Sequence, residues 1–164
     1  MTIYYGLKSR EDAVKYARAV VDALGGGNPA VALLVETAAA ETLLGQLKDP
    51  TPYAAGTGLT QVDKGTFDWL KQLYADHKLG NLIIQHFNIN LSKTQYQELE
   101  TSPLLAMIFC RLRYYAVPTA IPTTLQGRAA YWKQWYNTSA GKGTVDDYLS
   151  KVAKCGVEQL LSAN

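Results

Sequence analysis

The stretch Ala30-Val31-Ala32-Leu33-Leu34-Val35-Glu36-Thr37-Ala38-Ala39-Ala40-Glu41-Thr42-Leu43-Leu44 sets two carboxylates in an otherwise small and apolar run. Unbroken by Gly or Pro, it predicts a helix buried on all sides rather than one with a solvent face. A carboxylate in such surroundings is costly to keep ionised and tends to hold its proton. Glu36 and Glu41 are five residues apart, about 140° around a 3.6-residue helix, so they face different ways. Glu41 lies beside the helix end marked by Gly45, where a side chain reaches an open cleft. Glu36 is assigned to a salt bridge or to solvent. A carboxylic acid that stays protonated near neutral pH is what general-acid catalysis requires, which makes Glu41 the candidate acid.

Working outward, the chain changes character over residues 49–63, where prolines, glycines and β-branched residues predict a loop and a short irregular β-hairpin, the only strand region expected. This segment, Ala54-Ala55-Gly56-Thr57-Gly58-Leu59-Thr60-Gln61-Val62-Asp63, ends in a second carboxylate. Elsewhere helical spacing dominates. Ser9-Arg10-Glu11-Asp12 resembles a capping box and opens a first helix, and Gly25-Gly26-Gly27 with Asn28-Pro29 punctuates the passage to the next. No Lys-Ser/Thr follows these glycines, so they do not make a phosphate loop. Residues 66–78 predict a helix whose C-terminus carries His77 and Lys78. Ser92-Lys93-Thr94-Gln95 reads as another capping box. Ser102-Pro103 opens a strongly apolar helix expected to be the central one of a bundle, ending before Pro118. A helix over 124–136 pairs Tyr131 with Trp135 and Trp132 with Tyr136. Thr144-Val145-Asp146-Asp147 caps the last helix.

Bulk properties narrow the class. The 164 residues, 48% apolar and 18% charged, suit one domain spanning 1–164 with an ordinary core. A net charge of +2 without any basic run argues against nucleic acid, yet suits an anionic polymer. Cys110 and Cys155 stand in apolar, helix-like contexts without ligand spacing and read as buried free thiols. His77 and His86 are the only histidines, so no metal or other cofactor is expected. The longest apolar run, 104–110, is far short of the ~20 residues of a spanning helix, so no stable membrane insertion is expected. No Sec-type export signal is visible at the N-terminus.

Glu41-Thr42 followed by Gly58-Leu59-Thr60-Gln61-Val62-Asp63-Lys64 resembles the catalytic helix and hairpin of goose-type lysozymes and soluble lytic transglycosylases, where a Glu-Ser pair precedes a Gly-Leu-Met-Gln-Val-Asp-Lys string. Tyr136-Asn137-Thr138-Ser139-Ala140-Gly141 resembles their Tyr-Asn-Ala-Gly turn, and Thr144 to Tyr148 the start of their last helix. The likeness covers roughly residues 30–70 and 128–155. Arg113-Tyr114-Tyr115-Ala116-Val117-Pro118 with Tyr131-Trp132-Lys133 is similar to phage-encoded muralytic proteins of this group. The chain departs from goose-type lysozymes at Phe67, where they carry a histidine. The resemblance implies a mainly α, lysozyme-like (α+β) fold: a helical bundle with the hairpin beside an active-site cleft. It also implies cleavage of the β-1,4 bond between N-acetylmuramic acid and N-acetylglucosamine in peptidoglycan.

Under that reading Glu41 is the general acid, and Gly58, Gln61, Tyr136 and Asn137 bind substrate: Gly58 by close backbone approach, Gln61 through its amide, Tyr136 by orienting the acid or the N-acetyl group, Asn137 by shaping the turn. Two outcomes stay open. Asp63, or Asp49, holds a water for inverting hydrolysis, with carboxyl groups roughly 6.5–9.5 Å apart; otherwise Glu41 acts as acid and then as base, giving a 1,6-anhydro sugar. Six tyrosines and tryptophans between Tyr114 and Tyr136 suit a glycan cleft, although at least half are expected to be core. The partners expected are glycan strands, met by a monomer that reaches the wall by release from the cytoplasm or aboard a phage particle. A non-catalytic peptidoglycan-binding or virion structural module is the alternative.

Overall fold

The computed structural model describes residues 2–137 and 141–164. Among these, eight α-helices run in chain order: α1 (Arg10–Leu24), α2 (Gly27–Thr42), α3 (Lys64–Tyr74), α4 (Lys78–Phe87), α5 (Pro103–Tyr115), α6 (Leu125–Trp132), α7 (Val145–Lys154) and α8 (Val157–Ala163). Helix accounts for 64% of the chain, about twice the usual share, which places it in the mainly α class. Every residue from 30 to 40 is buried, as the apolar run predicts. Such a helix needs neighbours all round. α1 and α5 pack on α2 and on each other, and α7 and α8 also pack on α2.

α5 is as buried as expected, without a break from Leu105 to Leu112, and Ser102 caps it by accepting from the Leu105 amide at 3.1 Å. It shares the centre with α2 rather than holding it alone. Ser9 and Thr144 cap α1 and α7 as their sequences indicate, the latter in a reciprocal box with Asp147. Cys110 and Cys155 are buried free thiols.

Four local expectations need correction. No β-strand forms among the described residues. Where the hairpin was expected, Thr57 and Val62 make a single antiparallel bridge through backbone bonds of 3.0 and 3.2 Å. The ladder stops there because residues 58–61 are the connecting loop, α3 begins at Lys64 on one side and residues 51–55 turn on the other; side chains from surrounding elements hold the loop in place. Thr42 Oγ1 donates to Leu59 O at 2.8 Å, Tyr136 Oη to Thr60 O at 2.7 Å, and Tyr96 Oη to Val62 O at 2.7 Å. Second, His77 does not close a helix. Its Nδ1 accepts from the Leu79 amide at 3.1 Å and caps the start of α4, which the sequence reading did not foresee. Third, the capping box after residue 90 is built by Gln95 and Glu98 around a 3-10 turn, not by Ser92. Fourth, the helix over 124–136 breaks at Trp132 and continues as a π-helix, Lys133–Asn137.

The two carboxylates of α2 meet opposite fates. Glu36, 2% exposed, accepts from Arg128 Nε and Nη2 at 2.8 Å each and from Tyr148 Oη at 2.7 Å. Burial works against the charge on Arg128, but the bonds and charge of Glu36 outweigh it and hold the arginine above its usual pKa. This ties α6 and α7 to the middle of α2. Removing one partner strands the other ion in the core. Arg128→Ala should therefore lower the unfolding free energy by about 3–5 kcal/mol in urea denaturation, whereas the pair Glu36→Met and Arg128→Met should recover most of that loss. Equal destabilisation by the single and double variants would show that the ion pair is not the tie.

Candidate active site

Glu41 lies on the last turn of α2, where the helix leaves the core. Its exit is tightly held. Leu43 and Leu44 both adopt positive φ, 50° and 54°, a conformation unfavourable for leucine that burial of both side chains compensates. Thr42 Oγ1 accepts from the Gly45 amide at 3.1 Å and donates towards Ala38 O and Leu59 O. A single hydroxyl thus fastens the helix end to the bridged segment opposite, and fixes where the neighbouring Glu41 points.

An open cleft of about 240 Å³ lies there, lined by Glu41, Gln61, Asp63, Tyr136 and Asn137, with Ala55, Gly56 and Gly141 completing its wall. A small extension over Gln61, Asp63 and Tyr136 leads to Arg113. The structure therefore brings together five of the six residues that the sequence singled out. Gly58 is the exception. Its amide donates to Glu100 Oε1 at 3.2 Å, and a Cβ there would run into the Leu99 carbonyl. Its φ of 85° and this close packing explain the glycine without a ligand. The Tyr136–Gly141 turn is represented only by its ends, since Thr138, Ser139 and Ala140 lie outside the described residues.

Glu41 is half-buried at the cleft wall, and the loss of hydration of its carboxyl raises its pKa from 4.5 to about 7. Two opposing influences are weaker: the Trp132 indole N–H, which donates to Oε2 at 3.0 Å, and the positive charge of Lys151. Lys151 is anchored on the Ala40 carbonyl at 3.1 Å. Trp132 is the residue that sequence reasoning missed. Its signals were the i, i+4 pairing with Tyr136, the Tyr131-Trp132-Lys133 block and its place in the aromatic set, none of which points to Glu41, and aromatic residues on helices are mostly core. Tyr114, Tyr131 and Trp132 are indeed buried, as expected for half of the aromatic set.

Asp63 borders the cleft, but both its oxygens serve α3: Oδ1 accepts from the Thr66 amide at 2.8 Å and Oδ2 from Thr66 Oγ1 at 2.7 Å. Asp49, the other candidate, is similarly engaged with Thr51 through Oδ1. Gln61 donates from Nε2 to Gly58 O at 3.0 Å, which leaves its amide oxygen to accept from a ligand. Tyr136 stacks on Tyr114 at 5.1 Å, and burial holds its phenol well above its ordinary pKa. It stays a neutral donor, bonded to Thr60 O. Asn137 is fixed by Lys133, whose ammonium donates to Asn137 Oδ1 at 2.8 Å and to Gly141 O at 3.1 Å. Both Tyr136 and Asn137 ride on the π-helix, an irregularity that often occurs at functional sites.

Volume alone would direct attention elsewhere. A concavity of about 480 Å³ is lined by Arg18, Arg128 and Glu158 among others, but its buried cation is already paired with Glu36. Among the described residues no group of three His, Cys, Asp or Glu side chains is placed to hold a metal ion, and no helix is long and apolar enough to cross a membrane. No protein-family model, curated protein or solved structure matches this chain.

The raised pKa links Glu41 to stability. The folded state binds its proton more tightly than the unfolded chain, so the contribution is fully present below about pH 4.5 and is lost as pH rises to about 7. Above that range the buried carboxylate costs on the order of 3 kcal/mol. Glu41→Gln keeps an acceptor for Trp132 and removes this cost. Its unfolding free energy from urea denaturation should exceed the wild type's at pH 8.5, by roughly 1–3 kcal/mol, and converge with it near pH 4.5. A difference independent of pH would contradict the buried-acid assignment.

Proposed function

We propose that the chain is a peptidoglycan glycosidase of lysozyme-like fold that cleaves the β-1,4 bond between N-acetylmuramic acid and N-acetylglucosamine, with Glu41 as general acid. The observation that carries this reading is the gathering of Gln61, Asp63, Tyr136 and Asn137 around one carboxyl group whose pKa is raised to about 7. These residues also carry the resemblance to goose-type lysozymes and lytic transglycosylases. The mainly helical architecture is consistent with that fold class.

Between the two chemical outcomes, lytic transglycosylation is favoured, because both oxygens of Asp63 are engaged in the α3 cap and Asp49, held by Thr51 through Oδ1, does not line the cleft. Protonated Glu41 gives its proton to the glycosidic oxygen as the bond from muramic C1 breaks, and the N-acetylglucosamine hydroxyl leaves. The oxocarbenium-like centre is then met by the muramic C6 hydroxyl. Its proton returns to the Glu41 carboxylate as the C1–O6 bond forms, giving the 1,6-anhydro product and regenerating the acid. No water is consumed. The free Gln61 oxygen and the amide of Asn137 supply an acceptor and a donor for the N-acetyl groups. The substrate is the glycan strand, met by a monomer; the chain reaches the wall after release from the cytoplasm or aboard a phage particle.

Digestion of purified Gram-negative sacculi, followed by mass analysis of the released muropeptides, tests this account. Wild type should release anhydro ends at a rate that falls as pH rises through about 7, the pKa of the acid. Glu41→Gln should be slower by about 10²–10⁴-fold. Asp63→Asn, which preserves a good helix cap, should act within a few-fold of wild type. Reducing ends, lost in Asp63→Asn, would mark inverting hydrolysis instead. Binding to sacculi without any release would mark a non-catalytic module.

A further inference from the structure

Trp132 closes α6, is only 2% exposed, and donates from its indole Nε1 to Glu41 Oε2 at 3.0 Å. The indole has little room to move. Its ring centre lies 5.1 Å from that of Tyr148, whose hydroxyl is itself bonded to Glu36 Oε1 at 2.7 Å. Its outer edge comes against Gly143, where a Cβ would stand 2.7 Å from Cη2 and 3.4 Å from Cζ2. The ion pair in the middle of α2, acting through Tyr148, and a bare backbone at Gly143 thus hold the ring that touches the acid at the helix end.

The two oxygens of Glu41 are therefore not equivalent. Among the described residues no donor reaches Oε1, and the one unpartnered side-chain atom sealed from solvent there is Arg111 Nη1, not this oxygen. Glu41 is half-buried and borders the cleft. A neutral carboxylic acid carries one O–H and one carbonyl oxygen, whereas an indole N–H can only donate. The carbonyl oxygen is the better acceptor, so the bond to Trp132 favours Oε2 in that role and leaves the proton to Oε1.

We propose that Trp132 is a positioning residue that, by donating to Glu41 Oε2, keeps the proton of the acid on Oε1, the oxygen left for the glycosidic bond in the cleft. Its use in catalysis rests on the glycosidase reading above, whereas its hold on the proton does not. The other ionisable groups around the acid do not supply this order. Lys151 of α7 is bonded to the Ala40 carbonyl and acts on the carboxyl through its charge alone. Burial holds the Cys110 thiol and the Tyr114 phenol on α5, and the Tyr136 phenol on the π-helix, above their ordinary pKa values, so all three stay neutral through pH 7. Asp63 borders the cleft with both oxygens on Thr66.

Two NMR signals test this without substrate: the Glu41 carboxyl carbon and the Trp132 indole N–H, followed together from about pH 4 to 9 in labelled protein. The indole signal should shift with the same midpoint as the carboxyl, about 7, and be missing from Trp132→Phe. That variant keeps an aromatic ring but loses the donor. Since the donor favours the carboxylate, the carboxyl midpoint should rise by on the order of one pH unit. At about pH 5, where both proteins hold the proton, release of anhydro ends from sacculi should fall about tenfold or more with sacculus binding unchanged. A merely structural role would move neither the midpoint nor the indole signal. An indole signal indifferent to the carboxyl titration, a Trp132→Phe midpoint at or below the wild type's, or undiminished release at pH 5 would each overturn the assignment. Coupled titration in a wild type that releases no ends would uphold the hold on the proton and refute the glycosidase reading.

Discussion

The structure turns on one carboxyl group, that of Glu41, half-buried at the end of a core helix and accepting from the Trp132 indole N–H at 3.0 Å. One neutral donor is too little to stabilise a carboxylate in such a place, so the group keeps its proton up to about pH 7. Most of what surrounds it serves to hold that position. Thr42 clamps the helix exit to the bridged segment, Tyr136 bonds the same segment from the far side, and Lys133 fixes Asn137 along the rim.

The same helix shows both ways of dealing with a buried acid. Glu36 accepts from a bidentate arginine and a tyrosine hydroxyl, and it ties α2 to α6 and α7. Glu41, five residues on, is matched by almost nothing and faces an opening. The first arrangement supports the fold. The second stores an unfavourable ionisation at the cleft, alongside the strained backbone of Leu43, Leu44 and Gln61.

Much of this was legible in the chain because it depends on local rules. An unbroken apolar run must be a core helix, and Ser9, Ser102 and Thr144 announce helix starts through their own hydroxyls. Glu41 stood out because the resemblance to the lysozyme catalytic helix selected it over Glu36 and its place beside the helix end agreed. What escaped depends on contacts distant in sequence. Trp132 reaches Glu41 from the end of α6, at a separation of 91 residues that no spacing rule reveals. Gly58 looked like a ligand-facing glycine, yet the Leu99 carbonyl is what excludes a side chain there. His77 beside Lys78 and Gly80 has the composition of a helix end. Its ring nitrogen instead accepts an amide and begins the next helix.

The central claim concerns the protonation state of one side chain, and a pH titration of the Glu41 carboxyl carbon by ¹³C NMR measures it directly. The account predicts a midpoint near the value of about 7 that burial imposes. A midpoint at the ordinary 4.5 would mean that water reaches the group freely, and Glu41 would then be an unremarkable rim carboxylate rather than a stored acid.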